Sequence, residues 1–419
     1  MTVHWVFDDD TTLLTMTACP HTVVGSKTEL VSGRFPMANM FHYFRNNWWN
    51  RSDHDWKHSG LYDRPRNYAY NIGTWNDAGY WTGWEGNTYG FENFLRYVPD
   101  VVMADAREGR ALLVIDNLNE GFYDTRLYQF LHDSCTRFKL PPKTIMFLTG
   151  NELDTSGYIN WCEQQGITDR ITVIGFPHLM YMQMLNLRNS RQPLWKDHIA
   201  VKHKRRVIAN YNCLNRVSRN HRELFVMKLI DRDLHTHGMV SHNNLYYHAW
   251  TSHGVPQAVI DKSVALLPLV VDDSDFDNNK AMHINTEIYL SSWCSVITET
   301  HAFDEPYNLF ISEKLWKPIF ALQPFMVWGQ RGTLAQLRRW GYETFNCLWD
   351  ESYDQLDDLQ RLDAVLDNIQ SLTVIKDKAG WLEQVRESCI YNQQHFMSRD
   401  WFQSQYHDRF IAAYRGLNS

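Results

Sequence analysis

Short, unbroken apolar runs separated by amphipathic stretches recur along this chain of 419 residues. Strands buried on both faces of a parallel sheet have this continuous apolar character, and the helices that cross between them are amphipathic. The runs that we predict to be strands are VHWVF, ALLVID, TIMFLTG and RITVIGF, and then RVIANYN, GMVSHN, ALLPLVV, CSVITET and PFMVWG. The pattern therefore predicts an α/β fold built on two sets of parallel strands.

A chain of this length accommodates two domains of ordinary size, each with its own core. We predict an α/β domain over residues 1–190, a second α/β domain over 197–375, and C-terminal helices over 376–419. The polar, proline-containing run NSRQPLWK, residues 189–196, is the predicted linker. Residues 41–97 contain 17 aromatic side chains among 57 positions with weak periodicity, which predicts a compact irregular insert rather than helix or sheet.

Composition limits the location and the partners of the protein. The net charge of −7 provides no general attraction to nucleic acid or to an anionic membrane. The seven cysteines are scattered, odd in number and free of any CxxC pair, which favours a reducing compartment. The N-terminus is acidic where a signal peptide would be basic, and no apolar run is long enough to span a bilayer. We therefore expect a cytoplasmic protein without a membrane span.

The segment ISEKLWKPIFALQPFMVWG, Ile311–Gly329, carries the strongest functional signal. Glu313 and Lys314 stand at the start of a predicted helix, whose free N–H groups point outward. Glu305 lies eight residues before Glu313, so two carboxylates bracket the loop that enters the helix. Such a helix start suits a diphosphate that carries a sugar, with Lys314 facing phosphate and the carboxylates holding hydroxyls. The alternative is a surface helix with ordinary solvated charges.

A second cationic segment extends from Lys202 to Arg222, with seven Lys and Arg residues and no acid. Asn215, Arg216, Arg219 and Arg222 occupy its predicted strand-to-helix turn. Arginine forks are natural ligands of diphosphate oxygens, so this turn is a second candidate phosphate site. A solvated basic face is the alternative.

Other nucleotide and metal motifs have less support. The sequence contains no GxGxxG, no GxxxxGK[ST] and no GxSxG, which argues against a hydride-transfer enzyme or a P-loop NTPase. Asp272, Asp273, Asp275 and Asp277 contain two DxD patterns, but DDSDFDNNK is more typical of a polar loop than of a metal site. We expect that no metal is required.

Three resemblances connect these residues to known families. The run VITETHAFDEPYNLFISEKLWKPIFALQPFMVWG resembles the donor-binding signature of the α1,3-fucosyltransferases. The spacing of Glu305 and Glu313 resembles the two-glutamate motif of retaining GT-B glycosyltransferases. From Lys204 to about Asp363 the chain is similar to glycosyltransferase-like proteins of marine phages and bacteria, through NCLNRVSRNHRELF, SEKLWKPI and GTLAQLRRWGYETF.

These resemblances imply a GT-B fold, in which two Rossmann-like domains face a central cleft and the C-terminal domain binds a nucleoside diphosphate sugar. In the fucosyltransferases an arginine neutralises the leaving diphosphate, and Arg216 or Arg219 could correspond to it. Fucosyltransferases invert and two-glutamate enzymes retain, so the stereochemistry stays open. The predicted donor-binding residues are Asn215, Arg216, Arg219, Arg222, Glu305, Asn308, Ser312, Glu313 and Lys314.

The acceptor is expected on the N-terminal domain. Asp116 and Glu120, in VIDNLNEG after a predicted strand, are the candidate catalytic bases, with the run Asp8 to Asp10 next. Aromatic faces stack on sugars and on nucleobases, so the aromatic insert is a candidate acceptor platform. The tryptophans predicted to bind the acceptor are Trp48, Trp49 and Trp84.

Three functions follow from these observations. The first is a glycosyltransferase, transferring a hexose or pentose from a nucleotide-sugar to a hydroxyl of a glycan or small molecule. The second, suggested by the phage resemblance, is a phage DNA-modification enzyme that glycosylates a hydroxymethylated base in the host cytoplasm. The third is a non-catalytic protein that binds a sugar-nucleotide or glycan. Salt-dependent DNA binding separates the second from the first, and slow donor hydrolysis excludes the third.

Overall fold

The structure, a computed structural model, describes the backbone of residues 4–6, 21–24, 30–33, 68–73, 100–117, 123–177, 198–246, 253–271 and 284–398, with residues 95, 98, 121, 179–180, 183–184 and 187 between them. The chain divides into two compact units. Unit 1 takes the described residues of Met1–Tyr181 together with Pro306–Asn308, and unit 2 takes those of Met182–Glu305 and Leu309–Trp401.

A seven-stranded sheet forms the centre of unit 1, in the order β3-β2-β1-β4-β5-β6-β7. Its strands are β1 (His4–Val6), β2 (His21–Val24), β3 (Leu30–Gly33), β4 (Tyr68–Gly73), β5 (Ala111–Asn117), β6 (Ile145–Thr149) and β7 (Thr172–Gly175). Every neighbouring pair is parallel except β2 with β3. The described helices of this unit are α1 (Asp100–Arg107), α2 (Thr125–Phe138) and α3 (Asp154–Gln165).

The core of unit 1 explains why β5 and β6 are rich in apolar side chains. Leu113 of β5 and Phe147 of β6 are buried in one cluster with Leu127 and Leu131 of α2. The two leucines of α2 are four positions apart and so share one face of the helix. Each fully buried side chain of this size contributes about 1.5–3 kcal/mol to folding.

The expectation that residues 41–97 lack helix and sheet is wrong at Tyr68–Gly73. These residues form β4, which pairs in parallel with β1 on one side and with β5 on the other. The sequence YAYNIG contains aromatic and β-branched residues that favour strands, and pairing on both sides outweighs the polar context. The rest of the predicted insert lies outside the described residues, apart from Leu95 near its end.

Pro306–Asn308 joins unit 1 although the residues before and after it belong to unit 2. The side-chain amide of Asn151 donates to the Tyr307 carbonyl at 2.9 Å. The Tyr307 ring also packs on that of Tyr123, with ring centroids 5.4 Å apart. Tyr307 has a φ of 53°, in the left-handed region that non-glycine residues rarely adopt, so these contacts hold an unfavourable backbone conformation.

Unit 2 contains a second sheet, in which all neighbouring strands are parallel. Its strands are β8 (Ala209–Asn215), β9 (Gly238–His242), β10 (Ser292–Thr298) and β11 (Phe325–Trp328), in the order β11-β10-β8-β9. The described helices are α4 (His198–Lys204), α5 (Asn220–Asp231), α6 (Gln257–Leu266), α7 (Thr286–Leu290), α8 (Trp316–Phe320), α9 (Thr333–Arg339), α10 (Asp358–Val374), α11 (Lys378–Glu383) and α12 (Arg386–Phe396). The predicted α/β class is confirmed in both units. Within residues 376–398 the structure describes the helices α11 and α12.

The run ALLPLVV, residues 265–271, is not the strand that its apolar character predicts. The helix α6 extends to Leu266, with Val259 and Ser263 as its buried residues. That spacing of four is helical, and the chain then leaves the helix at Pro268. Leu269 contributes only an isolated antiparallel bridge to His242.

Two further findings concern the surface and the thiols. None of the helices that the structure describes is long and apolar enough to cross a bilayer. The six cysteines in the described part of the chain carry free thiols, and all except Cys347 are buried.

Lys202 on α4 is an unusual buried residue. It is 1% exposed, and its Nζ has no hydrogen-bond partner among the described residues. Burial lowers the pKa of this lysine from 10.5 to about 7, because desolvation disfavours the ammonium form. The unfolded chain keeps the ordinary pKa, so unfolding takes up a proton at pH values between these two. The buried lysine therefore lowers the free energy of unfolding. This loss is complete below about pH 7, and it disappears as the pH rises toward 10.5.

We expect Lys202→Met to raise the free energy of unfolding at neutral pH by about 1–4 kcal/mol, because it removes the desolvation penalty of a buried ammonium group. The wild-type protein should gain stability from neutral to mildly alkaline pH, and the variant should lose that gain. Urea unfolding at the two pH values measures both effects. Lys204→Met, at an exposed position of the same helix, is the control and should change neither. Equal stability of Lys202→Met and wild type would contradict the penalty.

Candidate functional site

The carboxyl ends of the four strands of unit 2 lie at one edge of the sheet because the strands are parallel. Ligands of open α/β sheets bind at this edge. The turn after β8 carries Arg216 and Arg219, and the loop after β10 begins with Glu299 and Thr300. Both cationic segments of the sequence therefore reach the same region of unit 2.

Glu299, directly after β10, is the centre of a hydrogen-bond network. It is fully buried, and its carboxylate accepts from the Ser312 hydroxyl, from the Ser312 backbone N–H at 3.3 Å and from the Thr300 backbone N–H at 3.0 Å. Gly329 comes so close that a Cβ there would lie 3.3 Å from the Cβ and Cγ of Glu299. A buried carboxylate is stable only when hydrogen bonds replace its hydration, and this network supplies them.

Lys314 is held on the outer side of this network. Its Nζ donates to Thr300 Oγ1 and to Ser312 Oγ, both at 2.9 Å, and to Glu313 Oε1 at 3.3 Å. About a fifth of the Lys314 and Glu313 side chains is exposed, at 22% and 23%. Burial alone would raise the pKa of Glu313. The Lys314 ammonium and backbone hydrogen bonding lower it by more than burial raises it, so the pKa of Glu313 is below the ordinary value. The site therefore presents an oriented cation beside an ionised carboxylate.

The helix predicted to start at Glu313 is short. Glu313–Leu315 forms one 3-10 turn, and α8 adds only Trp316–Phe320. Ser312 caps the turn by accepting from the Lys314 backbone N–H at 3.4 Å. Short helices have few aligned peptide dipoles, so the expected contribution from a helix N-terminus is small here, and the Lys314 side chain supplies most of the positive charge.

The arginines after β8 are held in two different ways. Arg219 is exposed, and its guanidinium donates to the Thr300 carbonyl at 3.3 Å. Arg222, in the first turn of α5, is only 6% exposed and donates to the Val217 carbonyl at 3.1 Å. Burial and the neighbouring Arg219 lower the pKa of Arg222 to about 10. Its Nε has no hydrogen-bond partner within the described part of the chain, which leaves a buried donor for a ligand or water.

Thr300 brings the two cationic segments together. Its carbonyl accepts from Arg219 and its hydroxyl accepts from Lys314, so both cations bind one residue. The same charges act on the adjacent His301. Burial lowers the pKa of His301, and the positive charges of Arg219, Lys314 and Arg222 lower it as well. The negative charge of Glu305 raises it, but the net shift is downward. Positive charge from two distant parts of the sequence therefore converges on one strand end.

Asn215 has a supporting position in this arrangement. Its side-chain oxygen accepts from the Thr298 hydroxyl, and its carbonyl accepts from His242 Nδ1 at 2.9 Å. Ser218 Oγ lies 3.4 Å from His242 Nε2 and donates to the Asn244 carbonyl at 2.6 Å. Burial lowers the pKa of His242 to about 4, so this imidazole is neutral at physiological pH.

The remaining predicted donor residues are placed differently. Arg216 is partly exposed in the turn after β8, and Glu305 is exposed. Ser312 is fully buried and belongs to the Glu299 network. Asn308 is buried but belongs to the segment grouped with unit 1.

The predicted acceptor side lies largely outside the described residues. This applies to Glu120 and to the Asp8 to Asp10 run, as well as to Trp48, Trp49 and Trp84. The aspartates of the DxD patterns, which are not part of the acceptor prediction, also lie outside the described residues. The backbone of Asp116 is part of β5, but its side chain is outside the described part.

Unit 1 has its own polar group at the carboxyl edge of its sheet, which sequence reasoning missed. Asp154 begins α3 and is 1% exposed, and it accepts from the Tyr128 hydroxyl. Burial raises the pKa of Asp154 to about 7, although hydrogen bonds from Tyr128 and Thr149 lower it. Its place just after β6, in the run TGNELD, is the signal that could have identified it.

Sequence reasoning also missed Glu299 and Thr300. Both follow the apolar strand run VIT directly, and polar residues at that point of a parallel strand lie at the ligand-binding edge. Glu299 and Thr300 are the last two residues of the predicted strand run CSVITET, so the polar end of that run was an available signal for both.

No protein-family model matches this chain, and no curated protein is similar to it in sequence. Among solved structures, the chain is similar to an alpha,alpha-trehalose-phosphate synthase (UDP-forming) from Burkholderia vietnamiensis, with a TM-score of 0.46, 10% identity, and 100% of this chain and 98% of that chain covered. It is also similar to an alpha,alpha-trehalose 6-phosphate synthase from Burkholderia multivorans, with a TM-score of 0.45, 10% identity and coverage of 100% and 97%. Both likenesses are distant in sequence and in structure.

We expect Glu299→Gln to lower the free energy of unfolding by about 1–3 kcal/mol, because an amide cannot accept all the hydrogen bonds of the buried carboxylate. Urea unfolding measures this loss. Glu287→Gln, which removes a carboxylate whose side chain is 67% exposed, is the control and should cost less than about 0.5 kcal/mol. If the two substitutions have the same effect, Glu299 is not the centre of the network.

Proposed function

We propose that this protein is a GT-B glycosyltransferase that moves a sugar from a nucleoside diphosphate sugar to a hydroxyl group of a glycan or small molecule. The observation that carries the proposal is the attachment of Arg219 and Lys314 to the same residue, Thr300, at the carboxyl edge of a parallel sheet. Fixed cations at such an edge are suited to a dianionic diphosphate.

The chemistry of sugar transfer explains why such cations are useful. The bond between the anomeric carbon and the diphosphate oxygen breaks, and its electron pair stays with the diphosphate. A bond forms between the acceptor oxygen and the anomeric carbon, and the acceptor proton passes to a base. Lys314 and the arginines would stabilise the charge that develops on the leaving diphosphate, and loss of one such donor commonly lowers the rate by ~10²–10³.

The carboxylates of the site have a different role in the proposal. Glu313 is ionised and lies beside Lys314, and Glu305 is exposed on the loop that leads to it. Carboxylates accept hydrogen bonds from ribose or sugar hydroxyls. The α1,3-fucosyltransferase resemblance of this segment supports the same assignment, and the identity of the sugar stays open.

Proton transfer is proposed for the N-terminal part of the chain. Glu120 and Asp116 remain the predicted bases, and the tryptophans Trp48, Trp49 and Trp84 remain the predicted acceptor platform.

We expect Lys314→Ala to weaken the binding of nucleoside diphosphates by about 10- to 100-fold, because it removes a charged hydrogen-bond donor. Glu313→Ala should weaken binding or turnover as well, because it removes the carboxylate that positions Lys314. Isothermal titration with UDP, GDP, ADP and CDP measures affinity, and circular dichroism checks folding. Lys204→Ala, at an exposed position, is the matched control. Wild-type affinity in both site variants would overturn the assignment.

We expect transferase activity to survive EDTA, because fixed cations take the place of a metal ion at the diphosphate. The measurement is release of nucleoside diphosphate from a nucleotide-sugar with and without the chelator. A requirement for Mn²⁺ that Asp273→Ala or Asp275→Ala abolishes would instead favour a metal site in the DxD segment.

A further inference from the structure

Two large side chains near the carboxyl edge of the sheet of unit 2, where Arg219 and Lys314 lie, are highly exposed. Val217, in the turn after β8, is 63% exposed, and Tyr246, in the loop after β9, is 62% exposed. Single exposed apolar residues are common on protein surfaces. These two differ because buried groups hold the backbone of both residues in place.

The first turn of α5 provides those groups. The Arg222 guanidinium donates to the Val217 carbonyl at 3.1 Å, and the Glu223 carboxylate accepts from the Tyr246 backbone N–H at 2.6 Å. Glu223 is fully buried, so neither anchor is a loose surface contact. Val217 and Tyr246 are therefore presented by loops that are attached to consecutive residues of one helix.

The two loops are also attached to each other. Ser218 Oγ donates to the Asn244 carbonyl at 2.6 Å, and the Asn243 backbone N–H donates to the Arg216 carbonyl at 3.3 Å. Each of these bonds involves a residue within three positions of Val217 or Tyr246. Preorganised loops lose little conformational entropy on binding, so they are suited to a rigid ligand.

Charge indicates which rigid ligand this is. Val217 stands between Arg216 and Arg219 in sequence, and Arg219 reaches Thr300 beside Lys314. A ligand with an anionic diphosphate at one end and a flat apolar ring at the other would satisfy both parts of this surface. A nucleoside diphosphate has this chemistry, since every nucleobase has a face that stacks on aromatic side chains.

We propose that Tyr246 and Val217 form the platform on which the nucleobase of the donor stacks, an inference that rests on the proposed function. Tyr246 provides the aromatic face, and Val217 provides an aliphatic contact. Asn243 and Asn244 are exposed beside them, and their amides can both donate to and accept from the edge of a base. The platform therefore contributes affinity through stacking, and the amides contribute the choice of base.

The test compares a nucleoside diphosphate with inorganic pyrophosphate, which keeps the charge and lacks the base. Among UDP, GDP, ADP and CDP, the test uses the nucleotide that wild type binds most tightly. We expect Tyr246→Ala to lower the affinity for that nucleotide by about tenfold or more, the usual effect of losing one base stack. Its affinity for pyrophosphate should stay within about twofold of wild type. Tyr246→Phe keeps the ring and should bind both ligands almost as wild type does.

Two further variants complete the design. Val217→Ser should lower the affinity for the nucleoside diphosphate without changing the affinity for pyrophosphate. This variant provides a second test if Tyr246→Ala does not fold. Tyr391→Ala removes another tyrosine, 42% exposed on α12, and serves as the control for loss of a surface ring.

The outcomes separate this inference from the proposed function. If wild type binds a nucleoside diphosphate through Lys314, but Tyr246→Ala and Val217→Ser bind it equally well, the platform is wrong and the donor site stands. If the Tyr246→Ala variant loses pyrophosphate as strongly as the nucleotide, the ring supports the fold of the site rather than the base, and the inference is overturned. If wild type binds neither ligand, the proposed function fails first, and the platform fails with it.

Discussion

The buried carboxylate of Glu299 is the interaction on which the candidate site depends. A charge without exposure to water is strongly unfavourable unless hydrogen bonds surround it, and here Ser312 and Thr300 provide them. The same two residues accept hydrogen bonds from Lys314. The Lys314 ammonium is therefore connected through Ser312 and Thr300 to Glu299, the residue that follows β10. This connection gives a flexible side chain a fixed position.

The cations of the site have a cost in the free protein. Arg219 and Arg222 repel each other, and that repulsion contributes to the lowered pKa of Arg222, about 10. Like charges held together by a scaffold are unfavourable until an anion binds between them. Because the surrounding hydrogen bonds maintain this arrangement, a diphosphate would relieve existing repulsion rather than have to organise the cations itself.

The sequence predicted most of the sheet in unit 2 and part of the site. Apolar runs located β10 and β11, as expected for strands covered on both faces. The runs RVIANYN and GMVSHN located β8 and β9, although both strands contain buried polar residues such as Asn212 and His242. The pattern did not identify β4, whose polar and aromatic context concealed it, and it assigned a strand where α6 ends. The two cationic segments were visible in the sequence, but their meeting at Thr300 depends on which strands are neighbours. The sequence places Glu299 at the end of a strand run, but only the folded loop brings Ser312 to it.

The segment Pro306–Asn308 affects how the two units could be separated or recombined. The hydrogen bond from Asn151 to Tyr307 joins residues 156 positions apart, so a ribosome has made most of unit 2 before this contact of unit 1 can form. Expression of the first 190 residues alone would remove it, together with the ring contact to Tyr123. A chimera that exchanged unit 2 as one continuous block would also exchange three residues of unit 1. Each unit is compact in space, but neither corresponds to one continuous segment of the sequence.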